Sequence, residues 1–417
     1  MSLGALSFGA IWLFAAVACL SIAAQGVLYF GLAAWLFQLW RDRRRPEFPA
    51  PLGLGCLFLA WTLAASLASP NQAHSLETWR KWLLAFAAFY VADQLATARA
   101  LKAVLGSLLF FSALWCLGAS LVYGAKPFLF WQQGQSWAEV SARWLNDIDW
   151  RAASGSGGYQ VLATCSTLLL LFYTGLLLED PWWRRPLVYG CLACIALALL
   201  LTLTRGAWLA TAAGLMFLFA WKKPALLFLS LALVLAGALV LQHSPFMGRL
   251  KSVLDKDNDS NRERVYMAQA GISILREHPW LGVGDSMESF ERGGVTVPGN
   301  FITHRSPEAL QWYAMKRVGD KEQGHLHNNF IQIAAMAGLP GLGLLLLFFA
   351  RLGWRAFKDG LGLRQAQARP LAVGLCGALL GWWVNGAFEY NFGSYQSSFV
   401  LWFLIGLYFA ARRQAAS

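Results

Sequence analysis

Residues 186–221 read PLVYGCLACIALALLLTLTRGAWLATAAGLMFLFAW, an apolar run interrupted once, at Thr204-Arg205-Gly206. A membrane-crossing helix needs about 20 mostly apolar residues, so the run reads as two spans joined by a very tight turn. The same reading works outward in both directions. It gives about twelve candidate spans, near 4–21, 25–40, 51–69, 79–95, 101–122, 159–178, 186–204, 206–221, 224–242, 327–350, 371–388 and 394–411. The first two come from one nearly continuous apolar run that bends at Gln25-Gly26. The fold class this predicts is an all-α polytopic membrane protein.

Composition agrees. The 417 residues are 57% hydrophobic and only 13% charged, against about 25% charged in an average globular chain. Too little polar surface remains to solubilise a domain of this size, which excludes a water-soluble enzyme, a disordered chain and a coiled coil.

The net charge of +12 would suggest nucleic acid in a soluble protein. In a membrane protein it is first tested against the excess of Lys and Arg in cytoplasmic loops. With both termini inside, alternate loops sum to +11 on the inside and +1 on the outside. The surplus is therefore a topology signal, and no nucleic-acid partner is expected. Three regions follow: spans one to nine over 1–242, a large outward loop over 243–326, and spans ten to twelve over 327–417.

Two stretches are not membrane. Residues 123–158 carry Trp131, Trp137, Trp144 and Trp150 with a Ser/Gly-rich tail, the pattern of a loop lying on the interface. Within 243–326, Ser260-Asn261-Arg262-Glu263 has the form of a capping box, followed by Val265, Ala268, Ile272 and Leu275 at helical spacing. His278-Pro279 should end that helix. Ser306-Pro307 should open a second one, running to about Arg317.

The topology gathers polar residues on the outer side. Arg205 sits in the tight turn, where it either snorkels to headgroups or grips phosphate oxygens. Arg262 and Arg264 open the loop helix, where pairing with Glu263 or Asp259 is the structural alternative. Arg80 and Lys81 stand at the outer end of the fourth span and serve equally well as interface anchors. Gly324-His325-Leu326-His327-Asn328-Asn329-Phe330 marks the re-entry of the loop into the membrane. A neutral imidazole there can accept a proton. On a helix, His325 and His327 would point about 200° apart, so only an irregular turn lets both serve one site. Glu389, beside Asn385 and Asn391, is the nearest approach to a charge within a span, and with Asn328 it is a candidate substrate contact.

No metal or cofactor is expected. Asp255, Asp257 and Asp259 imitate a calcium loop, but Ser260 stands where Gly is needed and Tyr266 where a bidentate Glu is needed. Cys191 and Cys194 lie inside an apolar run without a second pair, and the seven cysteines outline no disulfide framework. Gly282-Val283-Gly284 is a turn, since no strand precedes it.

Three motifs now stand in order: Leu203-Thr204-Arg205-Gly206-Ala207; Arg264 followed by Ile274-Leu275-Arg276-Glu277-His278-Pro279-Trp280-Leu281-Gly282-Val283-Gly284; and His327-Asn328-Asn329-Phe330-Ile331 leading to Gly338-Leu339-Pro340-Gly341. With them the chain resembles the O-antigen ligase and polymerase superfamily of bacterial inner membranes, most strongly over 200–345. The resemblance implies a GT-C-like, multi-spanning, metal-independent inverting glycosyltransferase that works at the periplasmic face. Its donor would be a glycan on undecaprenyl pyrophosphate and, in the ligases, its acceptor a sugar hydroxyl of lipid A–core. On that implication His327, or His325, is the base. Arg205 and Arg264, with Arg262, Arg80 and Lys81 as further candidates, hold the pyrophosphate. A ligase is the leading expectation. The sister activities are an O-antigen polymerase and a protein O-oligosaccharyltransferase. A lipid-linked sugar flippase is disfavoured because a transporter places polar groups near the bilayer midplane.

Overall fold

The computed structural model describes residues 3–17, 24–45, 50–70, 72–140, 151–153, 158–240, 255, 259–285, 325–362 and 368–415. Among these, every regular element is helical. In chain order they are α1 (Leu3–Val17), α2 (Ala24–Arg41), α3 (Ala50–Leu67), α4 (Gln72–Trp79), α5 (Phe86–Gln94), α6 (Ala98–Gln132), α7 (Gly158–Glu179) and α8 (Pro186–Leu201). There follow α9 (Arg205–Lys222), α10 (Pro224–Val240), α11 (Asp259–Glu277), α12 (Asn329–Leu361), α13 (Arg369–Gly386) and α14 (Tyr395–Gln414).

Each predicted apolar run is helical over most of its length, but spanning length is a stricter test. Among the described residues α6, α7 and α12 are long and apolar enough to cross a membrane; 53–67 and 186–201 are shorter apolar helices. Large side chains such as Phe228 and Leu235 are about 70% exposed around the bundle, as expected of a protein whose solvent is lipid rather than water.

Several boundaries differ from the sequence expectation. The segment 123–158 is not all loop, because α6 runs on to Gln132 with Pro127 inside it. The fourth run is broken: α4 and α5 are separated by a 3-10 turn at Arg80–Ala85. That turn buries Trp82 between Phe58 and Phe392, with ring centroids 4.9 and 4.8 Å away. Helix α11 starts at Asp259, ahead of the expected Ser260 cap, and ends before His278-Pro279 as expected. The predicted helix from Ser306 lies outside the described residues.

The core is built around α14, which is buried on every side from Gln396 to Ala411. An all-round apolar helix belongs at the centre of a bundle. Alongside it α7 and α13 pack almost backbone to backbone, since a Cβ at Gly175 would overlap the main chain at Gly374.

The bundle has two chemically distinct ends. At one, Glu179 binds Lys222 (2.9 Å) and Arg369 (2.7 Å), Asp359 binds Arg412 (2.7 Å), and Asp93 binds Arg413 (2.8 Å) and Arg44. These are residues that the charge count assigns to the inside. The other end carries the histidines.

Helix α12 is kinked near that second end. Gly338 has φ 68° and ψ −175°, a conformation open essentially to glycine alone. The kink strands backbone carbonyls, and neighbours take them up. Val283 N–H donates to Ala335 O (2.9 Å), Gly284 N–H to Met336 O (3.0 Å) and Trp61 Nε1 to Ala337 O (2.8 Å). Buried carbonyls need partners, so the turn after His278-Pro279 and the Gly338-Leu339-Pro340-Gly341 motif are two halves of one joint.

Candidate active site

The histidines sit on an irregular turn. His327 has φ 48°, in the left-handed region that non-glycine residues seldom enter. Asn328 then caps α12, its side-chain oxygen accepting from Phe330 N (2.9 Å) and Ile331 N (3.0 Å). The turn removes the 200° separation of a regular helix and brings the rings of His325 and His327 to 4.2 Å between centroids. Both imidazoles face the same carboxylate, Glu389, which lies between α13 and α14 and is almost fully buried.

The hydrogen bonds imply the tautomers. Nδ1 of His327 lies 3.0 and 3.1 Å from the two oxygens of Glu389. An ionised carboxylate only accepts, so Nδ1 carries the proton and Nε2 is the basic nitrogen. His325 Nδ1 accepts the backbone N–H of His327 at 3.3 Å, which puts its proton on Nε2, 3.7 Å from Glu389. Gln160 at the start of α7 donates to Oε2 of the same carboxylate at 2.6 Å. Burial alone would raise the Glu389 carboxyl. The charge and hydrogen bond of His327, then the charges of His325 and Arg264, hold it below the usual carboxylate range. Burial, then the neighbouring His327, pushes His325 down to about 4.

His325, His327 and Glu389 also offer three ligand-type atoms within 4.8 Å of one another, a spacing that could hold a metal ion. The tautomers argue for protons instead. A ligating His325 Nε2 would need its proton on Nδ1, where the His327 N–H already donates.

His327 lines a pocket of about 270 Å³ together with Arg205 and Arg264. Leu203, two residues before Arg205, is again left-handed at φ 52°. Such strain gathers where a fold over-determines a functional geometry. Arg205 donates to Asn261 on α11 at 3.0 Å, so the loop helix and the tight turn close one wall together. Burial, then the charge of Arg264, lowers the Arg205 pKa, and an anion bound between the two guanidinium groups relieves that repulsion.

Other expected residues fall elsewhere. Arg262 is exposed and outside the pocket lining. Arg80 is exposed and pairs with Glu77 at 3.0 Å. Lys81 lies over the Tyr395 ring, 5.1 Å from its centroid, and its charge reaches His325 rather than the arginine pocket. Asn328 lines the pocket, but its oxygen caps the helix and its nitrogen donates to Ala387 O at 3.0 Å. Sequence reading missed Gln160 and Asn261. The polar Gln160 at the mouth of an otherwise apolar span was the one signal available.

Arg205, Arg264, His325 and His327 all fall in a single matched segment. Residues 190–348 match the O-antigen ligase family model. No curated protein sequence matches the chain. The chain is thus a helical protein with apolar helices of membrane-crossing length, and its central segment is similar to the O-antigen ligase family, whose members imply lipid-linked glycan substrates. Glu389 and Gln160 lie outside the matched O-antigen ligase segment and join its residues only through the fold.

Proposed function

We propose that the protein transfers O-antigen glycan from undecaprenyl pyrophosphate to a sugar hydroxyl of lipid A–core. The reaction is inverting and metal-independent, at the periplasmic face of the bacterial inner membrane. One observation carries this reading: an imidazole oriented by a buried carboxylate stands on the wall of a pocket that holds two arginines.

The chemistry follows from those groups. The acceptor hydroxyl attacks the anomeric carbon of the donor sugar and gives its proton to Nε2 of His327. Glu389 then stabilises the imidazolium, as a buried carboxylate does for a general-base histidine. The bond between the anomeric carbon and the pyrophosphate oxygen breaks, and Arg205 and Arg264 take up the growing negative charge. A 270 Å³ pocket suits a diphosphate headgroup rather than a whole lipid-linked glycan, which fits a substrate whose ends lie outside it. Farther along α9 and α13 an apolar groove of about 600 Å³, lined by Phe217, Leu380, Trp383 and Phe349, suits a polyprenyl chain. Both substrates are confined to the membrane, and that confinement supplies the proximity term.

Purified protein, lipid-linked donor and lipid A–core, assayed with EDTA, test the reading. Glycosylated core is the expected product. Elongated carrier lipid would identify an O-antigen polymerase instead, and loss of activity in chelator would overturn the metal-free chemistry.

A further inference from the structure

A second cavity lies at the end of the bundle away from the histidines. Helices α6 and α7 run antiparallel: Tyr173 Oη donates to Leu105 O at 2.6 Å, and Cys116 meets Ser166 at 3.8 Å. Gln160, which touches Glu389, and Trp182, just past Glu179, are thus separated by roughly 30 Å of α7 at 1.5 Å per residue. Beside Trp182, Ala98, Arg99, Lys102, Ala103, Gly106 and Phe110 line an open cavity of about 780 Å³.

Its two ends differ in chemistry. The end at the α6 N-terminus is cationic: Arg99 and Lys102 are exposed there, Lys102 Nζ lies 5.1 Å from the Trp182 ring, and Arg185 lies 4.4 Å from the same ring. The positive end of a 35-residue helix adds to them. Asp180 is the nearby acid, and its side chain is committed to the backbone N–H of Trp182 at 2.9 Å. Away from the cations the cavity is walled by Phe110 and Phe111 over a floor of Ala103, Gly106 and Ser107. A Cβ at Gly106 would meet nothing within 4 Å, so the floor is open.

We propose that this cavity is a binding site for an anionic diacyl phospholipid, with its headgroup phosphate between Arg99, Lys102 and Arg185 and one acyl chain over Gly106. Cations at one end and apolar walls along the rest match an amphiphile rather than a free anion or a neutral hydrocarbon. The site does not depend on the reaction at the opposite end.

The test uses the whole protein purified in detergent and offered phosphatidylglycerol or phosphatidylcholine, with retained lipid counted by native mass spectrometry. Wild type should retain phosphatidylglycerol at least about tenfold better than phosphatidylcholine. Combined Arg99→Gln, Lys102→Gln and Arg185→Gln should remove that preference. Gly106→Leu enters open space, so the fold tolerates it, and it should lower retention with the cations intact. Glycerol phosphate at millimolar concentration should not displace the lipid. Equal retention of the two lipids, unchanged retention in both variants, or displacement by glycerol phosphate would each overturn the proposal.

Discussion

Glu389 lies 3.0 Å from Nδ1 of His327, although 62 residues separate them and the carboxylate falls outside the family match. The contact fixes which ring nitrogen is basic and supplies a counter-charge for the imidazolium. Replacing Glu389 by Gln keeps the shape and removes the charge. The expected result is a fall in kcat of roughly 10²–10⁴-fold with little change in the donor KM. Initial rates on purified enzyme measure this, and a variant altered only in KM would mean that Glu389 binds substrate instead.

His327→Ala and Arg205→Ala should each abolish glycan transfer while the protein remains folded. His327 supplies the base, and Arg205 lines the pocket with Arg264. Product formation, read beside the thermal unfolding curve of each variant, separates lost chemistry from lost fold. Full activity in His327→Ala would move the base to His325.

The site also sets an acid limit. His325 is pushed down to about 4 from 6.5, so the unfolded chain takes its proton first as the pH falls. The His325 contribution should therefore decline from about pH 6.5 to about 4 and then level off. Glu389, held below its ordinary value, acts in the same sense: its contribution is present above the ordinary carboxylate range and is lost as the pH drops through its folded value. Unfolding midpoints across this range in wild type and His325→Gln should differ, the variant declining less. Parallel curves would remove His325 from the account.

The kinked joint predicts a contrast between two glycines on one helix. A Cβ at Gly338 would overlap the backbone of Trp280, whereas one at Gly343 meets nothing within 4 Å. Gly338→Ala should cost about 3 kcal/mol or more, combining a forbidden backbone conformation with overlap. Gly343→Ala should be neutral or stabilising by up to about 1 kcal/mol. Thermal unfolding of the two variants in detergent gives the comparison.

Arg205 and His327 sit where an apolar run meets a polar one, and such boundaries are local properties of the chain; Arg264 lies instead within the polar loop, on α11. The paired histidines were the instructive case. Helical geometry sets them apart, and only the left-handed turn at His327 brings both to one carboxylate. The segment 123–158 shows the reverse: its tryptophans and Ser/Gly-rich tail suggested a loop, yet α6 continues through Pro127 to Gln132. Arg80 and Lys81 shared the expected outer end but belong with Tyr395, a separation that no span count reveals.

By itself, the sequence determined that the chain is helical with apolar, membrane-type helices, and where its candidate site residues stand along it. Hydrophobic run length and charge at run boundaries do not need a third dimension. The tertiary structure decided the partners: Glu389 and Gln160 for His327, Asn261 for Arg205, and the 283–284 backbone for the broken turn at Gly338. Those pairings depend on how α7, α9, α11, α12 and α13 pack, and packing between segments far apart in the chain leaves no local periodicity to read.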